Sequence, residues 1–207
     1  MSLQTLIAVL IFSTVMAFTP GPNNVMLASS GARFGLARTL PHAAGVTLGF
    51  PVMLFLVGLG LASILLASPL LQLAMKSVSC AYLLWLAVKI ALSTSTTEAG
   101  GRDRPMSFLQ AAAFQWINPK AWLMAVGAIS AYTAGRGGQL YLEVAIIAVI
   151  TLVVSIASTL TWAAFGAGIR RWLRSATALR CFNITMALSL VASMAPILRE
   201  IADRLTS

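Results

Sequence analysis

The chain carries the sequence FTPGPNN at residues 18–24, where two prolines interrupt an otherwise apolar stretch. A second interruption, QWINPKA at residues 115–121, lies at the corresponding place in the other half of the chain. Proline lacks a backbone donor and clashes with the preceding turn, so a helix stops there and leaves N–H and C=O groups bare. Within a bilayer such groups are tolerated only where they face protein or a water-filled cavity. Two matched interruptions therefore indicate a ligand site near the middle of a membrane.

The composition identifies the class of protein. Of 207 residues, 59% are hydrophobic and 9% are charged, whereas a soluble domain carries about 25% charged residues. The net charge of +9 would suggest nucleic-acid binding in a soluble domain, but most Lys and Arg residues lie between apolar segments, where they orient a membrane protein. We expect no nucleic-acid partner, no metal, no cofactor and no enzyme activity. Cys80 and Cys181 are expected to be free thiols packed as small apolar groups.

Six segments reach the length of about 20 apolar residues that a spanning helix needs. Pro41, Pro69 and Pro105 lie at or just before predicted segment starts, where a missing N–H costs little. The sequence thus predicts an all-α integral membrane protein whose first and fourth segments are broken at their proline motifs. The six segments cover roughly 3–32, 41–66, 69–92, 107–133, 140–168 and 177–198.

A polar linker at residues 94–106 divides the chain into halves, 1–93 and 107–207, with three segments each. An odd number of segments per half means that two repeats insert with opposite topology, which gives a 3+3 inverted repeat. The match of the two breaks is its main support. At about 1.5 Å per residue, both breaks lie roughly 15 Å from one face, half of the ~30 Å hydrocarbon core.

The basic residues are distributed unequally between the two faces. The positive-inside rule places the richer face in the cytoplasm and the C-terminus in the periplasm of a bacterial inner membrane. The first segment can alternatively form a re-entrant hairpin, which would place the N-terminus inside. The richer face has Arg33, Arg38, Lys89, Arg102, Arg104, Arg170, Arg171, Arg174 and Arg180, and the other face has Lys76, Arg136, Arg199 and Arg204.

The half-helices that begin at the two breaks present free N–H groups and positive dipole ends to the midplane, which suits a carboxylate. Asn23, Asn24 and Asn118 add donors and acceptors for a zwitterionic head group. Alternatively, Asn23 and Asn118 only cap the broken backbone. The predicted substrate-binding residues are Pro20, Gly21, Pro22, Asn23, Asn24, Asn118, Pro119 and Lys120.

Lys120 is the one formally charged residue near the centre of any predicted segment. A lysine at that depth is costly and is a functional candidate by default. It can pair with a substrate carboxylate or titrate. Alternatively, it bonds carbonyl groups freed at the first break and has an architectural role.

Other signals are weaker. The sequence GVTLG at residues 45–49 is a GxxxG pattern, which favours helix packing over substrate contact. His42 is a minor candidate for a proton-transfer role, and Glu143 is expected to be a solvated residue at a segment end. The possible cavity wall comprises Gly45, Gly49, Tyr82 and Trp116.

Three motifs resemble the LysE/RhtB family of amino-acid exporters: TPGPNN at 19–24, AYLLWL at 81–86 and NPKAWL at 118–123. The likeness covers essentially the full length, and the N-terminal half is most similar to the cysteine and O-acetylserine exporter branch. The resemblance implies a multi-pass secondary exporter of the inner membrane that is driven by the proton-motive force and works by alternating access. It also implies roles for Pro20, Gly21, Pro22, Asn23, Asn118 and Pro119.

One departure from the family bears on the substrate. Exporters of lysine and arginine in this family carry an aspartate soon after the second break and another in the second segment. Here Met124 occupies the position of the aspartate that follows the second break. The second segment also lacks the other aspartate, since no acidic residue occurs between Leu40 and Leu66. We therefore expect export of a neutral amino acid or a close derivative, similar to cysteine, O-acetylserine or threonine. Besides this substrate and membrane lipid, a second copy in a homodimer is a possible partner.

The alternative function is a membrane scaffold or lipid-handling protein with re-entrant segments. A polar midplane cavity lined by both breaks would favour transport, whereas a lateral groove open to lipid would favour this alternative.

Overall fold

The computed structural model describes residues 1–61, 63, 67–92, 104–135, 137–169, 172 and 175–206, and this part of the chain is helical without strands. Most of the predicted linker, 94–103, lies outside the described residues, as do Arg102, Arg136, Arg170, Arg171 and Arg174. The helices are α1 (Leu3–Phe18), α2 (Pro22–Phe34), α3 (Leu36–Leu56, continued by a π-helical turn Val57–Leu61), α4 (Pro69–Ala91), α5 (Phe108–Phe114, followed by a 3-10 turn Gln115–Ile117), α6 (Pro119–Tyr132), α7 (Gly138–Ile169) and α8 (Ala176–Thr206).

Four described helices are long and apolar enough to cross a membrane. A fifth span results if α1 and α2, which meet at an angle of 52°, are counted together. The predicted fourth segment is divided into α5 of 7 residues and α6 of 14 residues, and neither is long enough alone. The four are Leu36–Leu61, Gln72–Ala91, Gly138–Ile169 and Thr177–Ala195.

Both predicted breaks are present. α1 ends at Phe18 and α2 begins at Pro22, and a 3-10 turn separates α5 from the start of α6 at Pro119. In each case a proline occupies the first helical turn, where its missing N–H breaks no intrahelical bond.

The predicted start of the second segment at Pro41 is wrong, because α3 already begins at Leu36. Gly35 separates α2 from α3 with φ of 82°, a left-handed conformation that glycine adopts without steric cost. Pro41 and Pro51 therefore lie inside α3. A glycine, not a proline, sets this helix boundary.

Helix α7 packs most extensively against α2 and α3, and α4 packs against α8. Glycines allow a close approach between α2 and α7. A Cβ on Gly166 of α7 would overlap the carbonyl of Ala28, and a Cβ on Gly31 of α2 would overlap the carbonyl of Ala163. The two halves interlock, since α1 contacts α7 while α5 contacts α3. The core therefore contains helices from both halves.

Two further expectations are corrected. Cys80 and Cys181 are free, but only Cys80 is buried, and Cys181 is exposed on α8. Glu143 is buried rather than solvated. Its Oε2 accepts hydrogen bonds from the backbone N–H groups of Ala134 and Gly135, both at 3.0 Å. This carboxylate ties the loop after α6 to the first turns of α7.

Candidate functional site

The end of α1 leaves carbonyl groups at the first break, and side chains pair with them. Asn24 donates its amide to the carbonyls of Ala17 at 2.7 Å and Thr19 at 2.9 Å. The hydroxyl of Ser158, on α7, also donates to Ala17 at 2.8 Å. The carbonyl groups of Ala17 and Thr19 are thus satisfied inside the protein, as a bilayer requires.

Lys120 connects the second break to the first. Its Nζ donates to the carbonyl of Thr19 at 2.6 Å and lies 3.5 Å from that of Pro20. Gly21 makes this approach possible, because a Cβ there would lie 2.8 Å from Lys120 Cδ. This contact agrees with the architectural role of Lys120, in which it bonds carbonyl groups freed at the first break. It also places the Lys120 ammonium group at the cavity described below.

A second link between the breaks joins two amide side chains. Asn23 donates to Gln115 Oε1 at 2.8 Å, and Gln115 donates back to Asn23 Oδ1 at 3.2 Å. Gln115 is fully buried and also donates to the carbonyl of Ala111 at 2.9 Å. Sequence reasoning gave Gln115 no role, although an amide in the centre of an apolar segment was a signal that could have identified it.

Asn118 caps α6, since its Oδ1 accepts the backbone N–H of Lys120 at 3.1 Å. The capping interpretation therefore describes Asn118 but not Asn23, which pairs with Gln115.

Among the described residues no side chain caps the N-terminus of α2 at Gly21. That helix end can still receive an anionic ligand.

A cavity of about 50 Å³ with polar and apolar side chains in its wall lies where the two breaks meet. We call it the midplane cavity, because the sequence predicts that the breaks lie near the middle of the membrane. A water needs about 10–15 Å³, so this conformation holds a few waters but not a whole amino acid. From the predicted set it is lined by Gly21, Asn23, Asn24, Asn118 and Lys120, and its further lining includes Met16, Val46, Phe50, Met124, Ser155, Ser158 and Thr159.

The predicted prolines act through the backbone: Pro20, Pro22 and Pro119 shape the breaks but do not line the midplane cavity. None of the four predicted wall residues lines it either. Gly45 and Gly49 face α5, where a Cβ on Gly49 would lie 2.7 Å from the Cα of Ala112. This agrees with the packing interpretation of the GxxxG pattern. The wall on α3 is instead formed by Val46 and Phe50, one position further along the helix.

The other two predicted wall residues lie elsewhere. Trp116 packs edge-on against Trp122, with ring centroids 6.1 Å apart, and its carbonyl accepts the indole N–H of Trp122 at 2.9 Å. Tyr82 lines a second cavity of about 110 Å³, which we call the basic-end cavity. Arg33, Lys89 and Arg104 also line it, so these three members of the predicted cytoplasmic set lie at one end of the bundle.

The electrostatics of the midplane cavity are simple. Among the described residues that line it, Lys120 carries the one formal charge and none is acidic. Met124, at the position where lysine and arginine exporters are expected to have an aspartate, faces this cavity. The position that, by the family resemblance, distinguishes cationic from neutral substrates therefore lines the midplane cavity.

Broken apolar helices whose ends meet around a cavity with polar side chains in its wall define a multi-pass membrane transporter rather than an enzyme. Residues 14–195 match the family model described as LysE type translocator. The chain belongs to this family.

Curated relatives agree with the family model. The cysteine/O-acetylserine efflux protein of Escherichia coli strain K12 is 31% identical over 180 residues, which cover 87% of this chain and 90% of the relative. The protein of the same name from Shigella flexneri serotype 5b gives the same identity and coverage. No solved structure matches the chain.

Proposed function

We propose that this protein exports neutral amino acids or close derivatives, of the cysteine, O-acetylserine and threonine type, across the bacterial inner membrane by alternating access. The observation that carries the proposal is the midplane cavity, because both proline breaks contribute polar side chains to its wall. This is the feature that distinguishes transport from the scaffold or lipid-handling alternative. The relatives are named as cysteine/O-acetylserine efflux proteins, which supports the same substrate class.

The broken helices offer a site for both charges of a zwitterion. α1 ends at the first break with the negative end of its dipole, which suits the ammonium group. The N-termini of α2 and α6 and the Lys120 ammonium suit the carboxylate. In this conformation Lys120 Nζ donates to the carbonyl of Thr19. When substrate binds, Lys120 Nζ weakens this hydrogen bond and donates to the substrate carboxylate instead.

The cavity lining favours a substrate with a neutral side chain. Met124, Val46 and Phe50 provide an apolar wall, and Ser155 and Thr159 add hydroxyl groups. A cationic side chain would find no counter-charge among the described lining residues, and burying it would be costly.

The proposed mechanism treats residues 1–93 and 107–207 as inverted repeats that rock about the midplane cavity, with 94–106 as a cytoplasmic linker. The reciprocal packing of α1 on α7 and of α5 on α3 supports this relation between the halves. The cavity of about 50 Å³ must enlarge to admit substrate. The pair Asn23–Gln115 and the contact Lys120–Thr19 both join the halves, so we expect them to rearrange during transport.

The proposed orientation places the basic-end cavity in the cytoplasm and the C-terminus in the periplasm. The convergence of Arg33, Lys89 and Arg104 at one end supports it. The proton-motive force is the proposed driving force, which follows from the family resemblance.

Efflux from proteoliposomes tests the proposal directly. Vesicles containing the purified protein are loaded with labelled cysteine, O-acetylserine, threonine or lysine and then placed under an imposed proton gradient. We expect efflux of the first three and little efflux of lysine. If none of the four moves under a gradient or by counterflow, amino-acid export is not the function.

A further inference from the structure

The basic-end cavity has no role in the proposed transport mechanism. It lies between α2, α3, α4 and the residues that precede α5, and its volume is about 110 Å³. This is about twice the volume of the midplane cavity. Its lining combines several cations with aromatic side chains, which is the chemistry of a ligand site rather than of a packing defect.

Three cations from separate elements surround this cavity. Arg33 comes from the last turn of α2, Lys89 from the last turn of α4, and Arg104 from the segment before α5. Among the described lining residues none is acidic. Converging charges of one sign beside low-dielectric walls produce a strong local potential. An anion is therefore the favoured ligand.

His42 supplies an independent indication of a ligand. Its side chain is 2% exposed and lines the same cavity. Its Nδ1 has no hydrogen-bond partner among the described residues. Buried polar groups are rarely left unpaired, and each unpaired one calls for an explanation. Nδ1 is closed to solvent in this conformation, so a rotation of the imidazole toward the cavity would let an oxyanion there provide the missing partner.

The walls identify the kind of anion. Tyr82, Trp85, Leu86 and Ile90 make the lining mostly apolar. Trp85 is half-exposed on α4 beside the exposed Leu84, so the cavity borders a surface that meets lipid in a membrane. A zwitterionic amino acid fits poorly, because its ammonium group would face three cations. A phosphate diester that carries acyl chains satisfies both the charge and the apolar wall.

We propose that the basic-end cavity binds the head group of an anionic phospholipid that lacks an ammonium group, such as phosphatidylglycerol. The phosphate meets Lys89 and Arg104 at the rim and His42 on the buried side, while the glycerol and acyl carbons lie along Trp85. Basic pockets between helices on the cytoplasmic side are recognised sites for such head groups. This site is separate from the midplane cavity and does not depend on what is transported.

The test compares two lipids on the purified full-length protein in detergent. The midpoint of thermal unfolding is measured against increasing dioleoylphosphatidylglycerol or dioleoylphosphatidylethanolamine, and apparent affinities are taken from the curves. We expect phosphatidylglycerol to bind at least tenfold more tightly. The double variant Lys89→Gln/Arg104→Gln should lose about 25-fold in this affinity, because each basic contact contributes roughly fivefold. Arg38→Gln removes an exposed charge near the same end, outside the cavity lining, and should bind normally.

Three results would overturn the proposal. They are equal affinity for the two lipids, full phosphatidylglycerol affinity in the double variant, and an equal loss in Arg38→Gln. A fourth arm uses inorganic phosphate alone. If millimolar phosphate gives the whole stabilisation, the site takes a soluble oxyanion instead of lipid. The comparison of lipids on the parent chain needs no variant, so it decides the matter even if the double variant does not fold.

Discussion

Asn23 and Gln115, 92 positions apart in the chain, exchange two hydrogen bonds between their side-chain amides. One residue belongs to the first proline break and the other to the second, so this pair joins the two halves beside the midplane cavity. Gln115 is fully buried, and a buried amide is costly without a partner. The pair therefore stabilises one arrangement of the breaks.

Replacing Gln115 with Met should destabilise the protein, because it leaves the Asn23 amide without its partner while keeping a similar volume. An unsatisfied buried polar group costs about 1–3 kcal/mol. We expect the midpoint of thermal unfolding in detergent to fall by several degrees. Asn23→Leu alone should do the same, since it leaves Gln115 Oε1 without its donor.

The double variant Asn23→Leu/Gln115→Met provides the control. Removing both partners leaves neither amide unpaired, so the combined loss should be smaller than the sum of the single losses. Additive losses would mean that the two amides do not stabilise each other.

Replacing Gly45 with Ala should separate α3 from α5. The added Cβ would overlap the backbone carbonyl of Phe108, which cannot move like a flexible side chain. Overpacking of this kind costs about 1–3 kcal/mol. We expect a lower unfolding midpoint without loss of substrate selectivity, because Gly45 does not line the midplane cavity.

Gly127→Ala is the matched control for this prediction. A Cβ there would lie 3.7 Å from Phe12 Cζ, an ordinary contact, and alanine is about 0.5–1 kcal/mol better than glycine inside a helix. This variant should be at least as stable as the parent. Equal destabilisation by both substitutions would refute the close α3–α5 contact.

The breaks and the extents of most helices could be predicted from the sequence, because their causes are local. Pro22 and Pro119 end a hydrogen-bond ladder whatever surrounds them, and long apolar runs have few other structures in lipid. The start of α3 could not be predicted in this way. It depends on the positive φ of Gly35, while Pro41, the more conspicuous residue, is accommodated inside the helix.

Side-chain partners across the fold could not be predicted, because they depend on how each helix is rotated. Gly45 and Val46 are neighbours in sequence, yet one faces α5 and the other the midplane cavity. Glu143 looked like a solvated end residue, but the preceding loop supplies two N–H groups to its carboxylate. The convergence of the breaks was predictable from their depth, whereas the Asn23–Gln115 contact was not.

Replacing Met124 with Asp should weaken binding of neutral amino acids at least tenfold. The new carboxylate would face the midplane cavity, where it repels the substrate carboxylate and lies one helical turn from Lys120. Substrate-induced stabilisation in detergent, measured with cysteine and threonine, reports the change. Met124→Leu keeps the apolar wall and should behave like the parent. Unchanged binding by the aspartate variant would place the substrate elsewhere.

Replacing Lys120 with Met should abolish or strongly weaken transport while leaving insertion and folding largely intact. Met fills a similar volume but removes the positive charge from the midplane cavity. Losing a charged contact to a carboxylate costs on the order of 2–5 kcal/mol of affinity. The fold should survive, because the Thr19 carbonyl that Lys120 contacts also accepts a hydrogen bond from Asn24 at 2.9 Å.

Efflux and the unfolding midpoint, measured on the same preparation of Lys120→Met, separate the two roles of this lysine. Lys76→Met, on α4 and away from both cavities, controls for the loss of one positive charge. Amino alcohols lack a carboxylate, so the Lys120→Met variant should bind them no worse than the parent does. A well-folded Lys120→Met protein that transports normally would exclude both roles. A protein that fails to fold would show that the contact with Thr19 is chiefly architectural, despite the second hydrogen bond from Asn24.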